Sequence, residues 1–240
     1  MKNLKYIFLF ILVFSQIICA KQPKTYLMNY GEKVRLKDIN YLYKHNKVLE
    51  IEDFEDNDIS NKPKWEFFGN INYEIKKNKS NIKWLGKHTL RVTGQGKSFY
   101  IAGTTIYLNK DISDYHTLKF TAKNNVKQTS MIQIELYDDD NNNKYIEVAK
   151  TNPDILTKDD KFVYKLDIQG KEWEVLYIPL NAFRDANMTV GDNVWNPQTT
   201  NNSGGLVQIQ FLFISENKNA EIDMEIDNIK FLSQSKVRSL

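Results

Sequence analysis

A chain of 240 residues, 41% of them apolar and 26% charged, has enough of both kinds to build one globular domain with short extensions, which excludes a chain that is disordered throughout. The formal charge of +3 includes Lys2 and Lys5 ahead of an apolar run, so the remainder is close to neutral with both signs interleaved. That balance lacks the basic footprint of a nucleic-acid partner.

Residues 1–20, MKNLKYIFLFILVFSQIICA, set two lysines before an unbroken apolar stretch from Tyr6 to Phe14, with small and polar residues following. This is the pattern of a secretory signal peptide, and the stretch falls short of the roughly 20 apolar residues that span a bilayer. Export is expected, to the periplasm, the cell surface or the medium. Cys19 is the only cysteine, so an intrachain disulfide is ruled out. Two readings of Cys19 stay open. It is either the acylated first residue of a lipoprotein, the one route by which this chain would meet a membrane, or a member of a leader cleaved after Ala20. Residues 21–47 are basic, with Lys21, Lys24, Lys33, Arg35, Lys37, Lys44 and Lys47 against Glu32 and Asp38, and read as a solvated polar spacer.

From Val48 onward the pattern is strand, turn, strand. VLEIEDFE (48–55) alternates Leu49 and Ile51 with Glu50 and Glu52 before the acidic turn DNDISNKPK. HTLRVTG (88–94) and SFYIAGTTIYL (98–108) read as a hairpin across Gly94 and Gly96. HTLKFTAKN (116–124) follows, then SMIQIELYDDD (130–140), which places Ile132, Ile134 and Leu136 on one face and Gln133, Glu135 and Tyr137 on the other. KFVYKLDI (161–168), WEVLYIPLNAF (173–183), LVQIQFLFIS (206–215) and AEIDMEIDNIKFL (220–232) complete the series, with Pro179 drawing the end of its strand toward an edge. Short strands at regular spacing predict an all-β antiparallel sandwich over 48–232, with 233–240 as a tail. The stretch 184–205 exceeds the usual loop length, which makes it a first place to look for binding.

The histidines, His45, His88 and His116, have no metal-type spacing, and no nucleophile elbow or phosphate loop is present, so a non-catalytic protein is expected. A glycoside hydrolase stays open as the weaker alternative, because a pair of facing carboxylates is all it needs. Asp138, Asp139 and Asp140, followed by Asn141 to Asn143, gather oxygen ligands where a turn can bring them together. They read either as a solvated hairpin tip or as a calcium site, with Asp138 and Asp140 as ligands. Asp53 and Glu55 on the first strand and Asp227 on the last form a second acidic group that would need a cation if those strands are neighbours. Sugars are held by aromatic faces together with amides and carboxylates. Two places fit: the face with Gln133, Glu135 and Tyr137, beside Gln208 and Gln210, and the loop with Asp192, Asn193, Trp195 and Asn196.

In order along the chain, EDFE, LRVTG, FYIAG, ELYDDDNN, WEVLYIPLNAF, GDNVWNP, SGGLVQIQF and IDNIKF resemble the galactose-binding-like jelly-roll domains. The sequence is most similar in kind to family 11 carbohydrate-binding modules and to the complex I assembly-factor type of sandwich. The resemblance implies a bacterial glycan-binding module, with Asp53, Glu55 and Asp227 at positions that hold a structural calcium in related modules and Tyr137 at a sugar-facing position. It equally implies the alternative of a structural or interaction protein of the cell envelope or of a flagellar sheath, whose partner would be an envelope protein.

Overall fold

The computed structural model describes residues 24–29, 32–36, 47–60, 63–79, 82 and 85–233, so the expected leader, Cys19 and the tail from 234 onward lie outside it. Sixteen strands are formed among the described residues. One sheet runs in the order β2 (Glu32–Leu36), β1 (Lys24–Asn29), β13 (Glu174–Pro179), β8 (Thr117–Asn124), β16 (Glu221–Leu232), β6 (His88–Gln95), β5 (Asn72–Lys77), with β3 (Val48–Glu52) paired to the far half of β16. The facing sheet runs β14 (Arg184–Asp185), β12 (Asp160–Ile168), β9 (Ser130–Asp139), β15 (Gly205–Ser215), β7 (Tyr100–Lys110), β4 (Lys64–Phe68). A small hairpin of β10 (Val148–Ala149) and β11 (Asn152–Leu156) stands apart. The expected all-β sandwich is observed, antiparallel except where β1 runs parallel to β13. No helix among the described residues is long and apolar enough to cross a membrane.

Period-two alternation builds the core. Ile132, Ile134 and Leu136 of β9 and Ile209, Phe211 and Phe213 of β15 face Leu118, Phe120 and Ala122 of β8 and Met224 and Ile226 of β16, all fully buried in one cluster. Phe120 and Phe211 meet edge to face across the two layers at 5.6 Å. Burying each such ring contributes on the order of 2 kcal/mol.

Two expectations are corrected. The predicted hairpin is not one: β6 pairs with β5 and β16, while β7 pairs with β15 and β4 in the other sheet. The chain crosses between layers at Gly94–Gly96, where a Cβ on Gly94 would collide with the Tyr100 ring and one on Gly96 with the Phe99 carbonyl. The 21–47 stretch is not a spacer throughout, because β1 and β2 extend the eight-stranded sheet at β13. Main-chain hydrogen bonds to an open edge need no apolar face, so a basic composition does not prevent the pairing. The register with β1 ends at Tyr177, so among the described residues no strand pairs with the Pro179 end of β13 on that side.

Candidate functional site

The outer surface of the six-stranded sheet is set by strand register. One row runs Val163, Glu135, Gln210, Thr105, Glu66 and the next Lys161, Tyr137, Gln208, Tyr107, Lys64. The sequence-predicted trio is thus brought together, and it is already hydrogen-bonded. Tyr137 Oη lies 2.5 Å from Glu135 Oε2 and 3.1 Å from Gln210 Oε1, while Gln133 Nε2 donates to Glu135 Oε1 at 2.5 Å. Gln210 Nε2 continues the network to Thr105 Oγ1 at 3.1 Å. Tyr137 keeps only 7% of its surface exposed, so its ring offers little area for stacking. The exposed aromatic residues beside this network are Tyr107 of β7 and Phe68 of β4; the sequence reading singled out neither, and Phe68 was missed because β4 is short and charged. Tyr107 donates to Glu66 Oε2 at 2.9 Å, and the Lys64 ammonium sits 5.3 Å from its ring centre. The Phe68 ring lies over Gly103, where any Cβ would occupy its place. The face then turns apolar toward Phe99, Ile101, Met131 and Ile214.

The 184–205 loop covers one end of the sandwich. Trp195 packs edge to face on Phe162 at 5.1 Å and, with Phe162, Phe183, Tyr115, His116 and Gln198, lines a cavity of about 660 Å³. Asp192 and Asn193 are engaged inside the loop itself. Asp192 Oδ1 accepts the Val194 N–H at 2.8 Å and its Oδ2 the Asn196 amide at 3.0 Å. The Asn193 amide nitrogen, in the orientation that satisfies it, donates to Asp185 Oδ2 (3.1 Å) and Met188 O (2.6 Å).

Asp138 and Asp140 continue the core-facing row of Ile132, Ile134 and Leu136, so they are not a solvated tip. Asp138 is fully buried and directly opposes the equally buried Asp160 across the β9–β12 ladder. Asp192 approaches from the loop, and the carboxylates of Asp140, Asp160 and Asp192 bring one oxygen each within 4.8 Å of one another. Burial, reinforced by the neighbouring carboxylates, pushes Asp138 up to about 8, Asp160 to about 7 and Asp140 to about 6. Asp160 was missed because its partners lie some twenty and thirty residues away in sequence, roughly, although period two along 160–168 places it on the same side as Phe162.

The pairing of β3 with β16 brings Asp53, Glu55 and Asp227 into one neighbourhood. Burial raises Asp227 to about 8, and the charges of Asp53 and Glu55 add to it. The oxygens there are mostly answered by the protein. Asn228 donates to both oxygens of Asp227, at 2.6 and 3.0 Å, and the N–H groups of Lys87 and His88 donate to Glu55 Oε1 at 2.6 and 2.9 Å. Among the described residues, the three-carboxylate convergence occurs at Asp140, Asp160 and Asp192.

No family model matches the chain, and no curated protein matches it. Solved structures do resemble it. A family 11 carbohydrate-binding module from Clostridium thermocellum, in complex with a β-1,3-1,4-mixed-linked tetrasaccharide, is 19% identical, with 78% of this chain and 96% of that one covered and a TM-score of 0.52. The family 11 module of the cellulosomal cellulase Lic26A-Cel5E of Clostridium thermocellum is 18% identical over 80% of this chain and 98% of its own, with a TM-score of 0.53. An exo-β-agarase is 16% identical over 78% of this chain but only 25% of its own, with a TM-score of 0.51. At such identities the likeness is one of fold: the chain is a β-sandwich with the architecture of the family 11 carbohydrate-binding modules.

Proposed function

We propose that this protein is a non-catalytic, exported module that receives a glycan across the outer face of β9, β15, β7 and β4. The observation that carries the reading is the continuous polar network from Gln133 through Glu135, Tyr137 and Gln210 to Thr105, with the exposed Tyr107 and Phe68 on its rim. Amide and carboxylate groups held in fixed positions match sugar hydroxyls, and the rim aromatics match the C–H faces of the rings. The architecture shared with the family 11 modules supports the same use of the fold. Export rests on the apolar run of residues 6–14 and its basic start.

Hydrolysis is disfavoured by spacing. Glu135 and Glu66, the carboxylates of one cross-strand row, stand three strands apart, roughly 14 Å along the sheet, wider than the ~5–9.5 Å of glycosidase pairs. One observation favours a second reading, an envelope or sheath protein that binds protein. The same face ends in an apolar corner where Phe99 is 63% exposed and Ile101 50%.

The test is affinity electrophoresis and calorimetry with mixed-linked β-glucan, then a wider glycan array. Binding that Gln210→Ala and Tyr107→Ala weaken at unchanged thermal stability supports the glycan reading. A blank array from folded protein, together with self-association abolished by Ile101→Lys, would establish the second reading instead.

A further inference from the structure

The end of the sandwich where β9 stops and β12 begins holds more buried negative charge than the described residues answer. Asp138, Asp140 and Asp160 each give one oxygen to a loop N–H: Asn196 N to Asp138 Oδ2 at 2.7 Å, Asp192 N to Asp140 Oδ2 at 3.3 Å, Val194 N to Asp160 Oδ2 at 3.1 Å. The second oxygen, Oδ1 in all three, is buried and reached by no donor, and so is Oδ1 of Asn196. Asp138 and Asp160 have no solvent exposure at all. Among the described residues no lysine or arginine forms an ion pair with any of these carboxylates. Buried oxygens of this kind are costly unless something positive or hydrogen-bonding meets them.

We propose that Asp138, Asp140, Asp160 and Asp192, with the side-chain oxygen of Asn196, bind one calcium ion that fastens the 184–205 loop to the ends of β9 and β12. The donors are all oxygen, which selects a hard cation. Carboxylate oxygens within 4.8 Å of one another fit on opposite sides of a shell of roughly 2.3–2.6 Å radius, and the irregular mixture of strand and loop donors suits calcium better than the strict octahedron of magnesium. Gly191 lets the loop pass against the site. It has φ +72°, and a Cβ there would collide with Asp160 Oδ1 and Asp140 Oδ2. The site is separate from the sheet face, so it stands whether or not a glycan binds there.

The test strips the purified protein with chelator and titrates it with calcium chloride in a calorimeter, with thermal unfolding measured in parallel. One high-affinity ion is expected, weakened at least tenfold by Asp140→Asn and by Asp160→Asn but not by Asp227→Asn, which reports on the other acidic group. Unfolding temperature should rise with calcium in the wild type and not in the first two variants. Asp192 is exposed, so Asp192→Asn repeats the test with the fold secure and should weaken binding in the same direction. A wild type that takes up no calcium, or uptake lost in Asp227→Asn and retained in the other three, overturns the assignment. Equal stabilisation by magnesium overturns the choice of metal.

Discussion

On the outer face of the eight-stranded sheet, Glu225 and Asp223 of β16 sit among basic residues. At the end of the six-stranded sheet, Asp138, Asp140 and Asp160 sit among more acids. Lys76 and Lys123 reach Glu225 Oε1 at 3.0 and 3.3 Å, Arg91 makes a two-pronged contact with Asp223 at 2.8 Å, and Asn125 donates to both carboxylates. Burial alone would raise the Glu225 carboxyl. The Asn125 amide, Lys123 and Lys76 together outweigh it and hold the group below the usual range. In the second cluster burial acts without that opposition, and the carboxyls rise. Both clusters contain fully or nearly fully buried carboxylates, so depth does not separate them. The source of the counter-charge does. Strands β6 and β8 flank β16, with β5 next to β6, and the three carry Arg91, Lys123 and Lys76 at outward positions, whereas β9 ends and β12 begins under a loop that contributes N–H groups and one more acid.

The largest expected effect comes from breaking the answered cluster. Glu225→Ala strands two lysines, the Thr89 hydroxyl and an amide, and should cost about 2–3 kcal/mol in urea unfolding. Because the folded Glu225 carboxyl is held low, its contribution is present above the unfolded value of about 4.3 and is lost as pH falls through the folded one. Unfolding scans below about pH 4.3 should therefore show a steeper acid loss in the wild type than in Glu225→Gln.

Gly191→Ala sharpens the contrast from the loop side. A side chain at that positive φ, pressed against two carboxylates, should cost about 1–3 kcal/mol and abolish calcium uptake. Asp160→Asn carries the opposite sign to Glu225→Ala. In chelator it removes one unanswered buried charge and should stabilise the protein by about 1 kcal/mol, or roughly 2–4 °C in melting temperature. Adding calcium should reverse the ranking, with wild type the more stable; equal destabilisation by both substitutions in chelator would erase the distinction. The smallest effect is expected at the outer face, where Tyr107→Ala should change stability by less than about 0.5 kcal/mol while weakening glycan binding.

Much of the fold was legible where alternation is strong. The 130–140 and 161–168 segments named their own inward and outward faces, and by period two the inward row of β9 runs on into Asp138 and Asp140. Edge strands were harder. KWEFF and NYEIKK carry charges on a half-exposed surface, so β4 and β5 left no clean pattern, and with β4 went Phe68. The basic 24–36 segment was unreadable as strand because its place depends on an open edge at β13, a property of the partner.

By itself the sequence determined the all-β class, the inward and outward assignment of most core strands, the candidate polar trio of Gln133, Glu135 and Tyr137, and the acidic character of the 138–140 segment. Side-chain alternation is local, so a few consecutive residues suffice to read it. Only the tertiary structure decided which sheet each strand joins, that β6 and β7 part company, that Tyr137 is buried by its neighbours, and that Asp160 and Asp192 converge on Asp140. Each of these depends on which distant segment supplies the next hydrogen-bonded strand or covering loop, and no local pattern carries that choice.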